Sequence, residues 1–154
     1  MEMNHKVLNF DHAAGTPVDP VVAQVMADAL QLGNPASTHS AGLKARAAVE
    51  QARTRIATQV GARAEELIWT SGATEANNLA ILGALRHQGP AHVVAAKTEH
   101  KAVLDPIRQL ERDGWRVTWL RPDAQGVVTA RSVLDAVCPD TALVSCMYVN
   151  NEIG

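Results

Sequence analysis

The stretch "HVVAAKTEHKAVLDPIRQLERDGWRVTWL", residues 92–120, decides the fold class of this chain. Short apolar runs at its two ends, His92 to Ala96 and Arg116 to Leu120, have the length and composition of buried strands. The segment between them, from about Val103 to Asp113, is predicted to be a helix. Because a strand, a helix and a strand in succession make a right-handed crossover between parallel strands, the stretch predicts an α/β fold.

The same alternation extends along the rest of the chain. The other predicted strands are Leu67 to Thr70 and Thr141 to Val149. The other predicted helices are Val21 to Leu32, Ala41 to Val60, Thr74 to Arg86 and Ala130 to Val137. Since an interior proline costs a helix about 3 kcal/mol, the helix that contains Pro106 is expected to begin close to it. The whole pattern predicts a mainly parallel sheet with flanking helices.

Composition restricts the classes of function. The chain has 154 residues, 47% of them apolar and 19% charged, which is ordinary for one globular domain over residues 1–154. A net charge of −2 favours neither nucleic acid nor an anionic membrane as partner. The longest apolar run, Ala142 to Val149, is far shorter than the ~20 residues of a membrane span. Two cysteines and no hydrophobic leader favour a cytoplasmic protein without a disulfide framework.

The turn "TSGATEANN", residues 70–78, is a candidate phosphate site. Gly72 permits close backbone approach, Ala73 adds no bulk, and the Thr74 hydroxyl stands where a helix would begin and present free N–H groups. The same residues also fit a capped helix start that binds nothing. The turn matches neither the nucleotide P-loop nor the dinucleotide glycine motif.

Two further polar loops follow predicted strands. In "TEHKAVLDP", residues 98–106, His100 could face a ligand ring and transfer protons, or it could be an ordinary hydrogen-bonded histidine. In "YVNNEIG", residues 148–154, Asn150 and Asn151 could bind a ligand oxygen or form a turn. Lys101 is not assigned a role, because its burial cannot be judged from the sequence. The three loops are expected to meet at the carboxyl edge of the sheet, where ligands of open α/β sheets bind.

Together these stretches resemble the cysteine desulfurases, pyridoxal-phosphate enzymes of the class V aminotransferase group, from about Phe10 to Gly154. The stretches that carry the resemblance are "FDHAAGTPVDP", "GNPASTHSAG", "WTSGATEANNLAI", "KTEHKAVLDPIRQLERDGW" and "LVSCMYVNNEIG". Gly15 departs from it, since many members have threonine there. The resemblance implies the N-terminal part of the large domain of a fold-type I enzyme, with residues 1–40 as an N-terminal and cleft-lining segment and 41–154 as the start of the cofactor-binding domain.

The resemblance also implies roles for particular residues. Ala73 and Thr74 are expected to bind the phosphate of pyridoxal 5′-phosphate. His100 is expected to stack on the cofactor ring and assist proton transfer as a catalytic residue, and Asn151 to bind near the phenolic oxygen. The implied reaction takes sulfur from L-cysteine to an enzyme cysteine and leaves alanine. Implied partners are a sulfur acceptor such as an iron-sulfur scaffold protein and a second copy of the full-length chain.

Two groups essential to that reaction have no counterpart in these 154 residues: the lysine that holds the cofactor and the nucleophilic cysteine. Cys138, at a predicted helix end, and Cys146, inside a predicted strand, match neither position. The chain therefore reads as a truncated domain, inactive alone, with apolar surface exposed around Ala142 to Val149 and a tendency to self-associate. Alternatives are a selenocysteine lyase or other class V relative, and a non-catalytic assembly or phosphate-binding module.

Overall fold

The computed structural model describes residues 8–85, 87 and 89–154, and the chain divides into two compact units, Met1–Trp69 and Thr70–Gly154. The first unit contains helices α1 (Pro20–Ala29) and α2 (Ser40–Gln59) and a short 3₁₀ turn, Ala64–Glu66. The Asp19 carboxylate accepts from the N–H of Val21 at 2.8 Å and so caps α1, with Pro20 at its first position. Both helices of this unit were predicted from the sequence.

The predicted strand from Leu67 to Thr70 is wrong. The described strands all lie further along the chain, and the backbone of residues 67–69 is held by a side chain instead. The guanidinium of Arg53, on α2, donates to the carbonyl oxygen of Leu67 and lies 5.4 Å from the centre of the Trp69 ring. A hydrogen bond and a cation–π contact therefore replace the ladder that the apolar run predicted.

The second unit is built on a parallel sheet of three strands, β1 (His92–Ala96), β2 (Arg116–Leu120) and β3 (Thr141–Ser145), in the order β2-β1-β3. Every residue of the central strand β1 is buried, as expected of a parallel strand covered on both faces. The predicted parallel α/β sheet is confirmed. β3 ends at Ser145 rather than at Val149, because the N–H of Met147 donates to the Glu99 side chain.

Three helices accompany the sheet: α3 (Ala73–Asn78), α4 (Lys101–Arg112) and α5 (Ala130–Ala136). A π-helical segment, Leu79–Gly83, continues α3, and the predicted end of that helix at Arg86 lies outside the described residues. The expectation that α4 begins near Pro106 is wrong. The proline lies in the helix interior, because the His100 side chain already caps the helix by accepting from Ala102.

The hydrophobic core of the second unit lies between the sheet and these helices. Its buried members are Ile81, Leu85, Val93, Ala95, Val103, Ile107, Leu110 and Trp115. Apolar residues after β3 are exposed as predicted, with Tyr148 fully accessible and Val149 63% exposed. Among the described residues, no helix combines the length and apolar character that crossing a membrane requires.

Candidate functional site

The loop that leaves β1 places His100 at the start of α4. Lys97 still continues the sheet, since its N–H donates to the carbonyl of Leu120 at 2.8 Å. At the helix start, Nδ1 of His100 accepts from the N–H of Ala102 at 3.1 Å. A neutral imidazole that accepts at Nδ1 carries its hydrogen on Nε2. The remaining ring nitrogen of His100 is therefore the one available to a ligand.

The loop that leaves β3 is ordered by Asn150. Its Oδ1 accepts from the N–H groups of Glu152, at 2.8 Å, and Ile153, at 3.1 Å, which makes an Asx turn. Its Nδ2 donates to the carbonyl of Thr98 at 2.8 Å. Asn150 is thus used in the turn that the sequence also allowed, whereas its neighbour Asn151 is exposed.

These two loops line a cavity of about 390 Å³. His100 and Asn151 both line it, as the expected convergence at the carboxyl edge of the sheet requires. The other lining residues are Lys97, Thr98, Glu99, Lys101, Asn150, Glu152 and Ile153. The cavity therefore carries an imidazole, amides, two ammonium groups and two carboxylates at the sheet edge, a set of polar groups that can contact a ring-containing ligand with polar substituents.

The turn before α3 has free donors. No side chain caps α3, whose N-cap residue is Gly72. The Glu75 carboxylate instead accepts from the N–H and the hydroxyl of Ser71, both at 2.6 Å, and the Ser71 hydroxyl in particular lowers the pKa of Glu75. A Cβ added at Gly72 would meet nothing within 4 Å. The first N–H groups of the helix therefore have no side-chain cap, and the backbone at Gly72 is not crowded, so a phosphate is a possible acceptor for these groups.

The structure brings together only part of the expected site. His100 and Asn151 share a cavity, but Ala73 and Thr74 are not among the residues that line it. The turn that contains them also does not follow a strand, because residues 67–70 form none. A larger groove of about 660 Å³, lined by Glu75, Leu79, Leu82, Trp115 and neighbours, contains none of these four residues. In the described portion of the chain, no group of three or more His, Cys, Asp or Glu residues is placed to hold a metal ion.

The two cysteines lie at different ends of the sheet. Sγ of Cys138 is 3.1 Å from Nδ1 of His92 and 3.1 Å from the guanidinium of Arg116, at the residues where the strands begin. Cys146 follows directly after β3 and is not inside a strand as predicted. Cys146 is an exposed residue, but partial desolvation, and after it the charge of Glu99, raises the pKa of its thiol. A raised pKa leaves less of the nucleophilic thiolate, which argues against Cys146 as a nucleophile.

Residues 8–154 match the family model described as "Aminotransferase class-V". This match spans nearly the whole chain and both loops of the cavity. The chain belongs to the class V aminotransferase family.

The curated relatives that the chain resembles are named cysteine desulfurases. The chain is 51% identical over 151 residues to the protein named "Cysteine desulfurase IscS" from Azotobacter vinelandii, and the match covers 94% of this chain. It is 52% identical over 151 residues to the protein of the same name from Pseudomonas aeruginosa (strain LESB58). Each match covers 37% of the relative, so the chain spans little more than a third of the relatives' length. The resemblance to an N-terminal portion of a cysteine desulfurase is confirmed.

Solved structures of class V relatives have the same fold. The structure described as "SspA in complex with cysteine" superposes with a TM-score of 0.85 at 40% identity, covering 93% of this chain and 42% of that one. DndA from Streptomyces lividans superposes with a TM-score of 0.81 at 41% identity, covering 94% of this chain and 42% of that one. The expectation of a partial fold-type I domain is confirmed.

Sequence reasoning did not single out Glu99, which lines this cavity. It is only 7% exposed, and its Oε1 accepts from the N–H of Met147 at 2.6 Å. Its position between a buried strand and a helix cap, next to His100, is the signal that could have identified it, because a carboxylate is rarely buried without a specific partner.

Proposed function

We propose that this chain forms the cofactor-binding part of a cysteine desulfurase that uses pyridoxal 5′-phosphate. The observation that carries the proposal is the cavity of about 390 Å³ that His100 and Asn151 line together at the carboxyl edge of the sheet. The curated relatives' name, cysteine desulfurase, favours this function over the selenocysteine lyase and over a non-catalytic module.

The cavity residues suit the ring of this cofactor, and the start of α3, which does not line that cavity, offers donors for its phosphate. Pyridoxal phosphate has a flat ring with a phenolic oxygen and a phosphate carrying negative charge. The exposed imidazole of His100 suits the ring, the Asn151 amide suits the phenolic oxygen, and the uncapped N–H groups at Ala73 and Thr74 suit the phosphate. These four residues are the proposed cofactor contacts. Residues 1–40 and 41–154 keep their proposed roles as the cleft-lining segment and the start of the cofactor-binding domain.

The chain's own residues supply orientation and proton transfer. When bound, pyridoxal phosphate acts as an electron sink for the substrate's carbon skeleton. His100, whose Nδ1 is committed to the cap of α4, holds and transfers a proton at Nε2 and is the proposed catalytic residue. Asn151 orients the ring through its amide, and the backbone at the start of α3 binds the phosphate.

The proposed reaction converts L-cysteine to alanine and passes the sulfur to an enzyme cysteine and then to an acceptor protein, such as an iron-sulfur scaffold. The relative SspA is described in complex with cysteine, which supports L-cysteine as the substrate. We further propose a cytoplasmic homodimer for the full-length protein. Because no residue here matches the family's lysine or nucleophilic cysteine, the 154-residue chain alone should release no alanine.

Cofactor binding tests the proposal. The chain is dialysed against pyridoxal phosphate, and retained cofactor is measured by absorbance for the unsubstituted protein and for His100→Ala, Asn151→Ala and the control His87→Ala, which alters an exposed histidine that does not line the cavity. The proposal expects saturable binding that the first two substitutions weaken about tenfold. It expects no effect of the control substitution.

The alternatives give different results. Saturable binding that neither site substitution affects would contradict the assigned residues. No binding at all would favour a non-catalytic module. Borohydride reduction adds a second criterion, because it fixes the cofactor irreversibly only where a lysine holds it covalently. Reduction is expected to leave this chain unlabelled, and labelling of Lys101 would overturn the claim that the cofactor lysine lies outside these residues.

A further inference from the structure

The loops after β1 and β3 are joined by two hydrogen bonds that run in opposite directions. The side chain of Glu99, in the first loop, accepts from the backbone N–H of Met147 in the second at 2.6 Å. The side chain of Asn150, in the second loop, donates to the backbone carbonyl of Thr98 in the first at 2.8 Å. Each loop thus holds the backbone of the other through one side chain.

Burial makes the Glu99 contact strong. Glu99 is 7% exposed, and a carboxylate shielded from water is unfavourable unless it is hydrogen-bonded. A charge-assisted bond from an N–H group satisfies that requirement better than a neutral one. Separating the loops would leave the carboxylate with its main partner lost, so the loops are held at a fixed spacing.

Asn150 contributes at both ends of its amide. Its nitrogen reaches across to Thr98, while its oxygen accepts from Glu152 and Ile153 in its own loop. Asn151 lies in this loop between Asn150 and Glu152. The backbone that carries Asn151 is therefore fixed on one side by the bond between loops and on the other by the turn.

We propose that Glu99 and Asn150 are positioning residues. They form a reciprocal clamp that sets the spacing between His100 and Asn151 across the cavity. This inference rests on the proposed function, since the purpose of the spacing is to receive the cofactor ring. Glu99 is adjacent to His100 and Asn150 is adjacent to Asn151, so each clamp bond acts one residue from a proposed cofactor contact.

The clamp lies beyond the elements that stabilise the fold. The strand ladder ends at Ala96 and Ser145, and neither Glu99 nor Asn150 belongs to the buried hydrophobic cluster. Loss of the clamp should therefore loosen the two loops before it unfolds the sheet. This separation allows positioning to be measured apart from stability.

Four variants test the clamp. Glu99→Ala removes the acceptor, and Glu99→Gln keeps an acceptor oxygen. Asn150→Asp keeps the oxygen that makes the turn but removes the amide donor to Thr98. Combining Glu99→Ala with Asn150→Asp removes both bonds. Glu65→Ala, at an exposed carboxylate in the other compact unit, is the control.

Two quantities are measured on the protein that the natural gene encodes. Hydrogen exchange of the Met147 amide reports the clamp without any cofactor, and the dissociation constant of pyridoxal phosphate, from dialysis, reports its purpose. Glu99→Ala and Asn150→Asp should each speed exchange in residues 147–153 and raise the dissociation constant roughly tenfold. The dissociation constant of the double variant should be at most slightly higher than that of the single variant that binds the cofactor more weakly. The two effects should not add, because both bonds hold the same pair of loops. The dissociation constant of Glu99→Gln should stay within about threefold of that of the unsubstituted protein.

The contrary outcomes are distinct. Equal cofactor affinity in all variants would overturn the positioning role while leaving the proposed function standing. Affinity losses that track a drop in the thermal midpoint would overturn it as well, since the effect would then be on the fold. Unchanged exchange at Met147 in Glu99→Ala would overturn the clamp itself. Failure of the unsubstituted protein to bind the cofactor would overturn the proposed function and the positioning role together.

Discussion

The imidazole Nε2 of His92 lies 2.8 Å from the hydroxyl of Thr118, and this contact ties the first residue of β1 to the middle of β2. On the other side of the ring, Nδ1 is 2.8 Å from the hydroxyl of Thr141, the first residue of β3. One histidine that is only 2% exposed therefore connects all three strands through its side chain.

Replacing this histidine should destabilise the second unit. His92→Phe keeps a flat ring but removes the partner of the Thr118 hydroxyl and one of the partners of the Thr141 hydroxyl, which still accepts from the N–H of Cys138, a loss of about 2 kcal/mol. Urea unfolding, monitored by tryptophan fluorescence, measures this loss in the free energy of unfolding. The control His12→Phe, at an exposed histidine, should change the free energy of unfolding by no more than about 0.5 kcal/mol. The Thr118→Val/His92→Phe double variant should lose less than the sum of the singles, and strict additivity would show that the contact contributes nothing.

A second prediction concerns the close approach of a loop to α2. A Cβ added at Gly42 would clash with the carbonyl oxygen of Ser37, a backbone atom that cannot move aside easily. Gly42→Ala is expected to cost about 1–3 kcal/mol. Gly15→Ala is the matched control, since its Cβ would meet nothing within 4 Å. Equal unfolding midpoints for the two variants would contradict the packing described here.

The turn before α3 should lose stability in acid. Hydrogen bonds from Ser71 lower the pKa of Glu75 below its ordinary value of 4.5. A carboxyl group with a lowered pKa in the folded state stabilises that state above its unfolded pKa, and the contribution is lost as the pH falls through the folded value. The protection factor of the Ser71 amide, which compares its hydrogen-exchange rate with the intrinsic rate at the same pH, should therefore fall below about pH 4.5. Glu75→Gln should remove this pH dependence, and its persistence in that variant would assign it to another group.

The charge of Glu99 should be detectable at Cys146. Burial is the main cause of the raised thiol pKa and the Glu99 charge is the second. In a Cys138→Ser background, the pH midpoint of Cys146 alkylation by iodoacetamide should lie above the ordinary thiol value. Glu99→Gln should shift the midpoint to lower pH without restoring the ordinary value, since burial remains. A midpoint that does not move would mean that the carboxylate and the thiol do not interact.

Local pattern was sufficient for much of this fold. The runs at His92–Ala96 and Arg116–Leu120 became paired parallel strands because their length and composition suit a sheet covered on both faces. The strings "TEHKAVLD" and "VNNEIG" identified the family and directed attention to His100 and Asn151, and the two residues line one cavity. Those inferences needed only neighbouring residues and a known resemblance.

The sequence by itself thus determined the fold class, the family and the two loops of the candidate site. Only the tertiary structure decided that residues 67–70 are not a strand, that β3 ends at Ser145, and that Glu99 and Asn150 join the loops. The physical reason is the same in each case: a side chain distant in sequence satisfies a backbone group. Arg53 takes the Leu67 carbonyl, Glu99 takes the Met147 N–H, and Asn150 reaches Thr98 across 52 positions of chain. Such partners are set by the folded arrangement of the elements, which no local pattern of residues contains.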